Sequence, residues 1–403
     1  MKNRILAILF LGGVLYGQNS YPIVLVHGFL GWGPDEMGDY HYWGGKKDYV
    51  QMLRDEGHVV FEISVGPVSS NWDRAVEVYY QLKGGQVDYG KAHSEKFDIF
   101  QKPPGKTFEG LYPEWDEKHP VHLIGHSMGG QTVRILQYLL SNEIYLNEEN
   151  RIPEESDLLG KMNEHWIRSI TTISTPHNGA TMADVVTGSL PFIRFFIGVA
   201  GVVGTRFYDF DLEQWGFERM NDETWSTYVH RMKTHEAWQT KNISGWDLSL
   251  DGARELNDYA LADSDVYYFS IVTTTTERKN DSQHHQPIKG TSLLTGAKAK
   301  LLGSRKAFWS DGTSTDTTWF ENDGMVNTCS MFGPTTGTNG ADPIVAYDNK
   351  DGLLITGQWY YLGPYQIDHW NIIGQRTDGN GQHEISQMII KNHASRIKLL
   401  PVF

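Results

Sequence analysis

The chain has 403 residues, 39% hydrophobic and 21% charged, a globular composition long enough for one large α/β core with insertions or for two domains. A formal charge of −14 and the lack of a basic stripe exclude a nucleic-acid binder and argue against electrostatic adsorption to anionic membranes, so interface contact is expected to be hydrophobic. Cys329 is the only cysteine, which excludes an intrachain disulfide and leaves stability to the core, to bound metal or to both.

In chain order, Lys2 and Arg4 precede an apolar run, Ile5 to Leu15, with the small Gly17 after it, the pattern of a secretory leader over residues 1–17. An uncleaved anchor is the alternative, although the run is short for a membrane span. No cysteine follows the run, so a lipid-modified amino terminus is not expected. Strands are predicted at Tyr21–Val26, Val59–Val65, Val121–Ile124, Ile167–Ser174, Val266–Thr273 and Gly357–Leu362. Helices are predicted over Lys46–Glu56, Arg74–Lys83 and Gln131–Ser141, with a final helix over Glu384–Arg396. This alternation implies a mainly parallel sheet with helices on both faces. Residues 18–403 then form one domain with two insertions, at about 66–120 and about 179–263. Within the second, Val185 to Thr205 carries one charge, Arg194. It fits a lid that is apolar on its inner face, with a buried core helix and a membrane span as competing readings; Pro191, Arg194 and the glycines weigh against the span.

Val121 to Gly130 runs from strand pattern to helix pattern through Gly125-His126-Ser127-Met128-Gly129, a G-x-S-x-G elbow in the context that gives it meaning. A strand that reverses into a helix at a serine needs glycines on either side, and the hydroxyl is left exposed at the carboxyl edge of the sheet. Ser127 is therefore the candidate nucleophile of an acyl-transfer hydrolase. It needs a base, and the base needs an orienting acid, in the order Ser, Asp or Glu, His. His369 lies in a loop after the predicted strand Gly357–Leu362, whereas His383 and His393 flank the last helix and are expected at the surface. Asp323, before Gly324 in a turn-rich stretch ahead of an apolar segment, is the preferred acid; Glu321, Asp316 and Asp311 are rivals. Two amides must hold the oxyanion: that of Met128, after the nucleophile, and that of Phe29, after His27-Gly28.

With these residues in view, several segments closely resemble the secreted lipases of staphylococci and thermophilic bacilli. They include Val26-His27-Gly28-Phe29-Leu30-Gly31-Trp32-Gly33, Tyr42-Trp43-Gly44-Gly45 and Asn71-Trp72-Asp73-Arg74-Ala75. Thr175-Pro176-His177-Asn178-Gly179, Asp211-Leu212-Glu213-Gln214-Trp215-Gly216 and Glu321-Asn322-Asp323-Gly324-Met325-Val326 belong to the same set. The resemblance implies an α/β-hydrolase fold with a helical lid, a triad of Ser127, Asp323 and His369, and oxyanion amides at Phe29 and Met128. It also implies a structural zinc held by two aspartates and two histidines, which would give Asp73, His93 and Asp247. At the second histidine position this chain has Ile99, with Asp98 beside it as a substitute oxygen ligand, so a weaker zinc site or another metal is expected. The family's calcium positions fall on Asn371 and Arg376; a cation there is expected to be lost or weakened unless Asp378 takes part.

The resulting expectation is a secreted hydrolase of acylglycerol esters acting at an oil–water interface, with no nucleic-acid or protein partner implied. A broad carboxylesterase or a phospholipase A-type enzyme would share every catalytic residue. An acyltransferase, or a lipid-binding relative without turnover, would differ in how product partitions or in having none.

Overall fold

The computed structural model describes residues 18–34, 36–147, 149–183, 210–279, 281–348, 354–375 and 381–402. Seven parallel strands form the central sheet: β1 (Ile23–Val26), β2 (Val60–Ile63), β3 (Val121–His126), β4 (Ile167–Ile173), β5 (Tyr267–Thr274), β6 (Ile344–Ala346) and β7 (Trp359–Gln366). Their spatial order is β6-β7-β5-β4-β3-β1-β2. Every residue of β3 and β4 is buried, as a parallel sheet covered on both faces requires. Six of these strands match the hydrophobic pattern; β6, three residues long and half exposed, lacks a pattern to detect.

The helices divide between the two faces. On one, α1 (Tyr49–Asp55) contributes Tyr49, Val50 and Leu53 to a core shared with Ile389, Ile390, Ala394 and Ile397. On the other, α2 (Asn71–Lys83) and α3 (Met128–Ser141) pack against one another and against Val24, Val26, Leu123 and Ile170. α1 and α2 begin where a side chain satisfies a free amide: Asp48 accepts from Gln51 N and Ser70 from Asp73 N. The last helix, α6 (Gln382–Lys398), lies across the first face. Asn19, buried beneath it, donates through Nδ2 to the carbonyls of Ile397 (2.8 Å) and Leu400 (3.0 Å), and its Oδ1 accepts from His122 Nε2 (3.0 Å).

This helix also accounts for two histidines that fall inside rather than at the surface. His383 and His393 are both buried, because the face carrying Ile389, Ile390 and Ala394 turns them inward as well. His393 Nε2 meets Thr171 Oγ1 of β4 at 2.6 Å, and His383 Nδ1 lies 3.5 Å from the Tyr49 hydroxyl.

The order of strands fixes where a ligand can bind. The chain leaves β1 for β2 on one side and returns to β3 on the other, so the crevice at the carboxyl ends of β1 and β3 is a topological switch point. Phe29 follows β1 and Ser127 follows β3. Two parts of the expected machinery therefore arrive on adjacent strands. The leader (residues 1–17) and the lid segment (Val185 to Thr205) lie outside the described residues, so neither expectation is addressed by the fold.

Candidate active site

Ser127 sits between β3 and α3 with φ +55°, a left-handed backbone that a non-glycine residue adopts only when its surroundings impose it. Its flanking glycines are demanded by contact. A Cβ on Gly125 would lie 2.3 Å from the Gly129 carbonyl carbon, and one on Gly129 would lie 2.3 Å from the Val26 carbonyl oxygen. The turn is clamped by Ser127 N donating to Ile173 O (2.8 Å) and by Thr175 Oγ1 donating to Ser127 O (2.9 Å). Met128 opens α3, where amides at a helix N-terminus favour developing negative charge.

Asp323 and His369 come together although 46 residues separate them. His369 Nδ1 donates to Asp323 Oδ2 at 2.8 Å, and both side chains are buried. The same oxygen accepts from Thr273 Oγ1 (2.9 Å), while Oδ1 accepts from the amides of Met325 (3.0 Å) and Val326 (2.8 Å). Four donors surround one buried carboxylate and fix its plane. His369 N also donates to Asp323 O (3.2 Å), so the two loops are joined by backbone as well as side chain. With Nδ1 committed to the carboxylate, Nε2 is the nitrogen free to act as a base.

The rival acids are engaged elsewhere. Asp311 pairs with Arg254 at 2.7 Å, and Asp316 accepts from Thr318 N (2.9 Å) and its hydroxyl. Glu321 is half-buried two residues from Asp323, but the bond to His369 belongs to Asp323.

The loop bearing Phe29 is held from beneath by Arg74, buried in α2. Its guanidinium donates to His27 O, to Gly66 O (2.9 Å) and to Thr132 Oγ1 (3.0 Å). His27 is neutral: burial first, then the Arg74 charge, lowers its pKa to about 3. Its Nδ1 donates to Gly28 O (2.8 Å) and its Nε2 accepts from Val65 N (3.2 Å).

A second set of bonds joins this loop to His369. Gly28 N donates to the Tyr42 hydroxyl (2.8 Å), that hydroxyl donates to His126 Nδ1 (2.6 Å), and His126 Nε2 donates to the carbonyl of His369 (3.0 Å). The direction is forced, because a carbonyl can only accept and His126 has one proton to give when neutral. Burial, reinforced by His369, holds its pKa well below the usual histidine value. Sequence reasoning assigned roles to neither Tyr42 nor His126, nor to Arg74 and Thr273. Tyr42 and Arg74 stood in the resembling motifs, but nothing in their spacing shows what they bond.

Phe29, Tyr42, Ser127 and His369 line one pocket with Pro176, Ala180, Met182, Ala183, Gly245, Leu248, Met325, Val326 and Trp370. Its walls are mostly apolar, the lining expected for an acyl chain.

The expected metal ligands do not assemble in the same way. Asp73 Oδ1 faces His93 Nε2 at 2.9 Å, but Oδ2 is taken by amide donors from Gln214 and Asn242, each at 3.0 Å. Asp247 accepts from Asn71 N (2.5 Å); burial, with Asp73 nearby, pushes its pKa up to about 7. Ile99 packs against the core, and Asp98 ends the short helix α4 of Lys91–Phe97 with φ +54°, exposed to solvent. Asp98, the candidate substitute for the missing histidine, is thus exposed where Asp73 is fully buried. Among the described residues no three His, Cys, Asp or Glu side chains group as a metal site. At the calcium position, Asn371 bonds through N and Nδ2 to Asp368 (2.9 and 3.1 Å); Arg376 and Asp378 lie outside the described residues.

Comparison with known proteins places the chain among lipases by sequence and fold. Residues 19–377 match the family described as "Lipase-like, C-terminal domain". Lipase 1 of Staphylococcus aureus strain MRSA252 is 34% identical over 367 residues, covering 89% of this chain and 51% of that protein. Lipase 2 of S. aureus is 32% identical over 366 residues, covering 88% of this chain and 50% of that protein, so the chain spans about half the length of these relatives. Among solved structures, EstA from Clostridium botulinum superposes with a TM-score of 0.85 at 39% identity, covering 96% of this chain and 89% of its own. Lipase 1 from Pelosinus fermentans gives 0.81 at 38%, covering 96% and 100% of the two chains. Staphylococcus hyicus lipase gives 0.78 at 30%, covering 96% and 97%. Sequence, fold and the arrangement around Ser127 converge, and the chain belongs to this lipase family.

Proposed function

We propose that this chain is a secreted lipase, hydrolysing the ester bonds of acylglycerols through an acyl-serine intermediate. The observation that carries the reading is the buried Asp323–His369 pair opening onto the same apolar pocket as Ser127.

Ser127 Oγ attacks the ester carbonyl carbon while His369 Nε2 takes its proton. Asp323 stabilises the imidazolium and holds the tautomer. The amides of Phe29 and Met128 receive the tetrahedral oxyanion; loss of one such donor ordinarily costs about a hundredfold or more in rate. When the intermediate collapses, the ester C–O bond breaks and His369 returns the proton to the departing alcohol. Water then repeats the sequence on the acyl-serine, releasing the fatty acid and restoring Ser127. The apolar wall of Ala180, Met182, Leu248 and Trp370 suits a hydrocarbon chain better than a small polar ester.

The test is an inhibitor and substrate panel on the purified protein. A fluorophosphonate should label Ser127, and Ser127→Ala should lose both label and turnover of triolein and tributyrin while melting as the parent does. Retained esterase activity in Ser127→Ala would overturn the assignment. Phosphatidylcholine hydrolysed faster than triolein would move the substrate class to phospholipids. A jump in rate at the solubility limit of a short-chain ester would support action at an interface.

A further inference from the structure

Between Ser282 and Ser310 the sequence carries Lys289, Lys298, Lys300, Arg305 and Lys306 and no Asp or Glu, in a chain of net charge −14. The same stretch forms helix α5 (Leu293–Leu302), capped by Ser292, whose buried side is Thr295, Ala299 and Leu302. Its outward side is apolar. Leu293 is 91% exposed, Leu294 53% and Leu301 46%, and Phe308 beyond the helix is 64% exposed. A helix with leucines facing water and cations around them inverts the usual surface pattern.

The cations are available to a partner. Lys289, Lys300 and Lys306 are exposed, and none has a salt bridge among the described residues. Asp316 feels the charge of Lys306, while Asp311 is already held by Arg254. The overall charge predicts no attraction to an anionic surface. Screening over about 8–10 Å makes the local patch, not the sum, what an approaching surface meets.

The helix is locked to the catalytic loop. Asn322 Nδ2 donates to Ala299 O at 3.1 Å, and Lys298 Nζ lies 3.5 Å from Met325 Sδ in the pocket wall. Gly324, at φ +94°, packs so closely that a Cβ there would lie 2.4 Å from Thr295 Cγ2. Whatever seats on α5 is therefore held at the rim of the active-site pocket.

We propose that α5, with Lys289, Lys300 and Lys306 beside it, is the surface by which the protein docks on an anionic lipid interface. The leucines enter the acyl boundary while the lysines meet the negative headgroups, the two-part attachment of an amphipathic helix lying in an interface. This proposal rests on the reading of the pocket as an ester-hydrolase site only for its consequence, not for the docking itself.

The probe is unilamellar vesicles of phosphatidylcholine, alone or with about a third phosphatidylglycerol. Sedimentation is followed in a Ser127→Ala background so that the lipid is not consumed. The parent should bind the anionic vesicles more tightly and lose that preference in high salt. Replacing Lys289, Lys300 and Lys306 by Gln together should weaken binding about a hundredfold, and Leu293→Ser with Leu294→Ser about tenfold. Both sets, placed in the active enzyme, should leave kcat/KM on a dissolved short-chain ester and the melting temperature as in the parent. Equal binding to both vesicle types, or variants that bind as the parent does, would overturn the proposal. So would a dimer that the leucine substitutions split, because a second copy would then be what covers the helix. Binding without turnover of the dissolved ester would instead sink the hydrolase reading and leave the docking intact.

Discussion

The Tyr42 hydroxyl lies 2.6 Å from His126 Nδ1, and through that bond the loop that offers Phe29 is tied to the backbone of His369. Tyr42→Phe removes the partner of the buried Gly28 amide and of the His126 ring at once. A buried polar group left unpaired costs about 1–3 kcal/mol, here felt as misplacement of both the oxyanion loop and the base. The variant should lose about tenfold or more in kcat on a dissolved ester with KM little changed. Steady-state kinetics decides it; a change in KM alone would reduce Tyr42 to a pocket wall.

Asp323→Asn keeps the shape of the turn but offers an amide where His369 Nδ1 needs an acceptor. The expected loss is about a thousandfold to ten-thousandfold in kcat. Replacing Asp316 should cost no more than a surface change, because its carboxylate only bonds Thr318. Parallel assays of the two variants test the assignment of the acid.

Gly129→Ala should cost stability before it costs chemistry. The added methyl would stand 2.3 Å from Val26 O, a backbone atom that cannot swing aside. Overpacking of this kind costs about 1–3 kcal/mol and occasionally more. Thermal unfolding should show a lower Tm, with residual activity falling alongside.

Acid should destabilise the fold through buried neutral histidines. Burial lowers the pKa of His27 and of His122 to about 3, below the unfolded value near 6.5. The unfolded chain therefore binds protons that the folded chain refuses. Stability is fully present above about pH 6.5 and falls as pH drops toward 3, by about 2 kcal/mol for each of the two at pH 5. Calorimetric melts in buffers of different ionisation heat should detect proton uptake on unfolding at pH 5 and little at pH 8.

Chelation should leave the melting temperature unchanged, since Asp73 already has His93, Gln214 and Asn242 as partners. Elemental analysis with a melt in EDTA checks this. One zinc per chain, and a lower Tm on its removal, would restore the site that Ile99 interrupts.

Most of the sheet was legible because buried parallel strands are apolar runs with recognisable ends. The pairing of Asp323 with His369 was legible because chain order and loop position constrain it strongly, and the turn at Ser127 because the elbow needs its glycines. Tyr42, His126 and Thr273 were not, because their roles depend on bonds across 84, 243 and 50 residues that no local pattern encodes. His383 and His393 were misplaced for a related reason. The face of α6 is set by what it packs against, and two polar residues on a mixed helix do not declare their side. The exposed, left-handed setting of Asp98 at the end of its helix was likewise not legible, because composition carries no backbone geometry.

Asn19 has a consequence for the order in which the molecule can form. Its side chain bridges to carbonyls 378 and 381 residues away, and its oxygen holds His122 in the middle of the sheet. Until the final helix arrives, the Asn19 Nδ2 group lacks the two carbonyls it finally bonds, although Ser169 Oγ on the neighbouring strand already meets His122 Nδ1 at 2.7 Å. Such distant contacts close slowly, because the chain between their ends must be ordered before they repay its entropy. The last turn of α6 is thus a latch on the segment that leads into β1, and a chain clipped short of Ile397 should unfold at a lower temperature than the full chain.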